Sequence, residues 1–140
     1  MASGDCIGAI AMTEPGAGSD VRSMTTRAVR DGDDYVIDGT KHFISHADKS
    51  DFVILFATTG TEEVRGRKAN LITGFLVDLD TPGLTVVPGP KSVSHRGYHN
   101  NEIYLDDCAI PADQLLGVEG KGFDLMSEWL GATRLTVAAT

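Results

Sequence analysis

The feature that most constrains this chain is a recurrence of short apolar stretches, roughly one every ten to fifteen residues, with turn residues between them. Even spacing of that kind predicts an all-β fold, an antiparallel barrel or sandwich of about seven or eight strands. The stretches are Cys6 to Met12, Met24 to Arg30, Tyr35 to Asp38, Thr40 to Ser45, Phe52 to Ala57, Phe75 to Val77, Leu84 to Val87 and Glu102 to Leu105. Asp31-Gly32-Asp33 reads as a hairpin turn, and Asp38-Gly39 as a second tight turn. Phe52 to Ala57 is unbroken in its apolar character, which predicts a strand buried on both faces. The polar stretch from Thr58 to Asn70 reads as a long excursion from the sheet.

After Pro111 the pattern changes. Phe123, Met126, Leu130 and Val137 recur at the spacing of an amphipathic helix, and Gly120 and Gly122 stand where such a helix begins. The chain therefore divides into a β domain over residues 1–120 and a helix over residues 121–140. That helix reaches Ala138-Ala139-Thr140 with no Gly or Pro to stop it, so the sequence is expected to be an excised piece of a longer protein.

Composition narrows the function classes. The 140 residues carry a net charge of −8, a field that repels nucleic acid phosphates. No apolar run approaches the ~18 residues of a membrane helix, and Met1 to Asp5 lacks the basic and apolar regions of a secretion signal. Cys6 and Cys108 are too few for a disulfide framework and are expected to be reduced thiols packed as small apolar groups. Arg65-Gly66-Arg67-Lys68 is the one dense basic stretch, read either as a solvated loop or as a site for an anionic small molecule.

Two stretches carry chemistry. Thr13-Glu14-Pro15-Gly16-Ala17-Gly18-Ser19-Asp20 follows a small-residue strand. Its glycines let backbone approach a ligand closely and turn free N–H groups toward it, yet it matches neither the dinucleotide fingerprint nor the P-loop. In Lys41-His42-Phe43-Ile44-Ser45-His46-Ala47, an aromatic and a hydroxyl two positions apart share one strand face, a pair suited to stacking on a flat ring and bonding its edge. On spacing alone, the first stretch reads more simply as a plain surface turn and the second as an ordinary core Phe beside a strand-end Ser. His42, His46, His95 and His99 do not form a metal-ligand pattern, and no Ser sits in a strand–elbow–helix context for nucleophilic catalysis.

Together the stretches resemble the acyl-CoA dehydrogenase family. The Thr13 to Asp20 octapeptide resembles its signature, and Asp38 to Ser45, Thr81-Pro82-Gly83 and Gly120-Lys121-Gly122-Phe123 follow in the family's order. The resemblance implies the middle β domain, with residues 121–140 opening the C-terminal helical domain. It implies FAD as cofactor. Ile10, Met12, Thr13, Gly18 and Ser19 would wrap the flavin, with Thr13 bonding the isoalloxazine, and Phe43, Ile44 and Ser45 would cover its other face. Ser19, Gly131, Thr133 and Arg134 would meet the acyl-CoA substrate, and the basic loop falls where the CoA nucleotide passes.

The implied reaction is α,β-dehydrogenation of an acyl-CoA thioester. Its glutamate base lies beyond residue 140 in most members; a minority carry it at the position of Thr133, which is not acidic. No catalytic residue is therefore expected within the chain, and the piece alone is expected to be inactive. Further implications are electron-transfer flavoprotein as electron acceptor, a homodimer or homotetramer, and a cytoplasmic location or, in a eukaryote, the mitochondrial matrix. Acyl-CoA oxidases and flavin-dependent monooxygenases share the fold and stay open as alternatives, as does a non-catalytic β-sandwich binding module. Phe43 stands where many members have Trp, and Ser45 where Thr is common. His46-Ala47 departs from the usual Asn-Gly or Ser-Gly.

Overall fold

The computed structural model describes residues 3–93 and 95–138, with Ala132 and residues 135–138 described by their backbone. Its strands are β1 (Gly8–Ala11), β2 (Arg27–Asp31), β3 (Asp34–Ser45), β4 (Phe52–Val64), β5 (Arg67–Asp78), β6 (Leu84–Pro88), β7 (Asn100–Pro111) and β8 (Leu115–Leu116), followed by one helix, α1 (Gly122–Ala138). They form a single sheet that curls into a half-barrel, in the order β6-β7-β3-β2-β4-β5-β8, with β1 joined to β4. Pairing is antiparallel except at β4, which takes β1 and the start of β2 alongside it in parallel.

The apolar pattern of β4 decides how the layers stack. Side chains alternate across a strand, and here both sides are covered. Val53, Leu55 and Ala57 enter a core inside the curl with Tyr35, Ile37, Phe75, Ile103 and Cys108. Phe56 and, half-buried, Ile54 face the other way, into a second cluster with Ile72, Met24 and Met126. Phe123, Leu125 and Leu130 bring α1 onto that second cluster. The helical face expected from Phe123, Met126 and Leu130 is thus the one buried; the side chain of Val137 lies outside the described residues.

One glycine makes the docking of α1 possible. A Cβ on Gly122 would come within 2.9 Å of the Ile72 carbonyl oxygen and 3.0 Å of the Gly74 nitrogen. The first turn of the helix therefore sits directly on the β5 backbone, an approach open only to a residue without a side chain.

Three expectations are corrected. Asp38-Gly39 is not a turn. β3 runs through it, with a register shift between Ile37 and Gly39 against β7. Gly39 has φ +150° and lies where a Cβ would strike the Thr26 Cα at 2.7 Å, so its role is a bulge pressed against the residue that precedes β2. Thr58 to Asn70 does not leave the sheet either: β4 and β5 continue pairing to Val64↔Arg67, forming a ribbon that is exposed from Thr61 to Lys68. Its polar sequence reflects two wet faces rather than a loop. Of the cysteines, Cys108 is buried, and burial with the nearby Asp38 raises its thiol pKa, whereas Cys6 is exposed rather than packed.

Candidate functional site

The Gly-rich segment after β1 is held by a buried acid. Glu14 turns inward and its carboxylate accepts four hydrogen bonds: from the Thr25 N–H (2.6 Å), the Thr25 hydroxyl (2.8 Å), the Thr26 N–H (3.0 Å) and the Lys41 ammonium (2.8 Å). Lys41 is fully buried and also reaches the Met12 carbonyl at 3.4 Å. Burial on its own would raise the Glu14 pKa; the Lys41 ammonium, with the hydrogen bonds from Lys41, Thr25 and Thr26, overrides it and holds the value at about 2 against an ordinary 4.5. Burial pushes the Lys41 ammonium below its ordinary range, against the pull of Glu14. A buried charge is tolerable when it is paired and its remaining hydrogen-bonding sites are filled, and Glu14 meets that condition.

The pair brings two distant stretches into register. Directly beside it, the His42 N–H donates to the Thr13 carbonyl at 2.8 Å. The segment carrying Thr13 to Ser19 is thereby stitched to the end of β3. Neither Glu14 nor Lys41 stands out in the sequence as a ligand-binding residue. The signal available was a Glu within a Gly-rich turn and a Lys within a strand, two positions before an apolar Phe43-Ile44 pair.

β3 then bulges. Lys41 pairs with Ile103 and Ile44 with Asn101, so His42 and Phe43 together oppose only Glu102. Phe43 adopts φ +57°, a left-handed conformation that costs a residue with a Cβ about 1–2 kcal/mol. Its ring is consequently thrown out of the sheet and left half exposed, packed on the His42 ring at 3.9 Å between centroids. Non-glycine residues held in this region concentrate at functional sites.

These features border one cleft of about 890 Å³. Ile10, Met12, Thr13, Gly18, Ser19, Phe43, Ile44 and Ser45 all line it, as do Gly131 and Arg134 from α1. Thr133 does not; its hydroxyl donates back to the Trp129 carbonyl at 3.1 Å. Arg65, Arg67 and Lys68 lie at the exposed tip of the β4–β5 ribbon and do not border the cleft. Residues outside the expected ligand-binding set complete the lining: Ile7, His46, Tyr98, Phe123, Trp129 and Leu130 among them.

The lining is apolar with a few polar points. Ile10, Met12, Val21, Phe123 and Leu130 supply aliphatic and aromatic surface, and Phe43 and Trp129 present exposed rings. The Thr13 and Ser19 hydroxyls make no hydrogen bond among the described residues, and a Cβ on Gly18 or Gly131 would meet open space. Arg134 is the one Lys or Arg of the described lining, and none of that lining is Asp or Glu. Such a surface accommodates a flat, largely apolar ring system with hydrogen-bonding edges. It carries no carboxylate to act as a proton acceptor. Among the described residues no three His, Cys, Asp or Glu side chains come together as a metal site, and no helix is long and apolar enough to cross a membrane.

Residues 9–108 match the family model described as acyl-CoA dehydrogenase, middle domain. The chain is 40% identical over 131 residues to cyclohex-1-ene-1-carbonyl-CoA dehydrogenase of Geobacter metallireducens, covering 94% of this chain and 33% of that protein. It is 39% identical over 138 residues to the mitochondrial long-chain specific acyl-CoA dehydrogenase of Sus scrofa, covering 99% and 32%. Its fold superposes on the crystal structure of an acyl-CoA dehydrogenase from Geobacillus kaustophilus with a TM-score of 0.88 at 38% identity, over 97% of this chain and 35% of that one. The chain spans about a third of the length of the curated relatives it matches.

Proposed function

The chain belongs to the acyl-CoA dehydrogenase family, as its middle domain, and we propose that its cleft binds the isoalloxazine of FAD and, next to it, the acyl end of an acyl-CoA. One observation carries this reading: the Thr13 carbonyl accepts the His42 N–H, which joins the Gly-rich segment and the Phe43 bulge into one continuous wall. Residues 1–120 then form the middle domain and residues 121–140 open the helical domain that closes the cleft.

Ile10 and Met12 offer an apolar floor to the ring, and Phe43 covers it from the β3 side, where Ile44 borders the cleft with its side chain buried in the core inside the curl. The Thr13 and Ser45 hydroxyls are the polar points for its edge, and Gly18 leaves room for the ring to approach backbone. Ser19, Gly131 and Arg134 lie where substrate enters beside the cofactor. Bound FAD supplies the hydride acceptor for α,β-dehydrogenation. The chain's own residues bind and orient the reactants and keep water from the reacting carbons. No carboxylate is among the described residues that border the cleft, so the base that removes the α proton is supplied from outside this lining. The electrons leave to an electron-transfer flavoprotein, and the working enzyme is a homodimer or homotetramer.

The test is purification of the full-length protein and anaerobic addition of saturated acyl-CoA thioesters. A yellow protein whose flavin band bleaches, with release of the enoyl-CoA, is the expected result. A colourless protein that takes up no FAD overturns the reading.

A further inference from the structure

Tyr98 is not part of any strand, yet it is the one described residue between Gly89 and His99 that borders the cleft. Its phenol oxygen is hydrogen-bonded to the Ser45 Oγ. We propose that Tyr98 is a positioning residue for Ser45, fixing the direction in which the serine hydroxyl donates its proton; the proposal rests on the flavin reading above and adds to it a residue that acts through another.

Each hydroxyl has a single proton, so the direction of the bond matters. A phenol is the more acidic of the two and is therefore the better donor. When Tyr98 donates to the Ser45 oxygen, the serine proton is free to point into the cleft. A hydroxyl that accepts a hydrogen bond also becomes a stronger donor, because successive bonds in a chain polarise one another. Ser45 is then committed as a donor to whatever acceptor lies at the edge of the bound ring. Without the phenol, the serine hydroxyl rotates freely between donor and acceptor arrangements.

The surroundings of Tyr98 are built to hold its ring. His46 packs edge-on against it, with 4.6 Å between ring centroids. His46 itself stands in the left-handed conformation at φ +54° and ends β3 there, its N–H bonded to the His99 carbonyl at 2.9 Å. His99 is tied down in turn, Nδ1 lying 2.7 Å from Asp48 Oδ2. The Tyr98 N–H donates to the His95 carbonyl at 3.2 Å. His46 thus acquires a physical role, as the rigid surface that aims the phenol at Ser45.

The experiment is a double-mutant cycle of Tyr98→Phe and Ser45→Ala in the full-length protein, read by FAD titration and by the flavin's midpoint potential. Phenylalanine keeps the ring and removes only the hydroxyl. The expected result is an FAD dissociation constant raised about fivefold, the size of one net hydrogen bond, together with a lower midpoint potential. Both effects should vanish when Tyr98→Phe is made in the Ser45→Ala background. If wild-type and Tyr98→Phe proteins bind FAD alike and share a potential, the inference fails while the flavin reading stands. An effect that persists without the Ser45 hydroxyl also overturns it, since Tyr98 would then act on its own. If the wild-type protein takes up no FAD, the functional reading fails and this inference with it.

Discussion

The Lys41 ammonium sits 2.8 Å from Glu14 Oε1, with both side chains shut away from solvent. The pair ties the Gly-rich segment to β3, and it makes the cleft depend on a buried charge that is stable only while matched. Lys41→Met leaves the Glu14 carboxylate buried with no counter-charge, so it is expected to destabilise the protein by about 3–5 kcal/mol. The double variant Glu14→Gln, Lys41→Met should recover most of that loss. Urea unfolding of the three proteins provides the comparison.

The same pair sets an acid limit. The folded-state pKa of Glu14, about 2, lies below its ordinary 4.5. A depressed carboxylate contributes stability that is fully present above the unfolded value and is lost as pH falls toward the folded one. Unfolding free energy should therefore drop between about pH 4.5 and pH 2, by roughly 3 kcal/mol from this group. The drop should be shallower by that amount in the Glu14→Gln, Lys41→Met protein, as measured by denaturant titration across the acid range.

Phe43 is held at φ +57° with a half-exposed ring, a choice that favours the cleft over the fold. Asn tolerates this conformation better than most residues. Phe43→Asn is expected to stabilise the protein by up to about 1 kcal/mol while weakening FAD binding about tenfold, the loss of one stacking face. Opposite signs in thermal unfolding and FAD titration are the signature. A loss of both together would assign Phe43 a packing role instead.

Gly122 seats α1 on β5. Gly122→Ala must push the new methyl against the Ile72 carbonyl and the Gly74 nitrogen, at a cost of about 1–3 kcal/mol. Faster amide exchange throughout α1, with β3 and β7 unchanged, would place the damage at that contact.

How much of this was legible in sequence depended on whether a residue's partner is local. The continuous apolar run of β4 announced a strand covered on both sides, and Val53, Leu55, Ile54 and Phe56 divide between the two clusters. The turn at Gly32 and the helical spacing of Phe123, Met126 and Leu130 were equally readable, because a turn and a helix face are written within a few residues. The ribbon from Thr61 to Lys68 was not, since a strand pair wet on both sides has no buried face to give it a periodic pattern. Gly39 was misread because glycine serves a bulge as well as a turn. The parallel placing of β1 and β2 beside β4 joins segments far apart in the chain and leaves no local trace. Of the site, the Gly-rich segment and the Phe43 triplet were visible as chemistry; the Glu14–Lys41 pair that joins them, 27 residues apart, and Tyr98 beneath Ser45 were not.

The most direct measurement is the footprint of FAD on the chain by hydrogen–deuterium exchange, comparing the full-length protein with and without the cofactor. Slower exchange is expected at residues 10–19, at residues 41–46 and on the cleft side of α1, with the β4–β5 ribbon tip unaffected. Protection centred on the ribbon, or none at residues 10–19 and 41–46 while FAD is bound, would contradict the assignment of this cleft to the flavin.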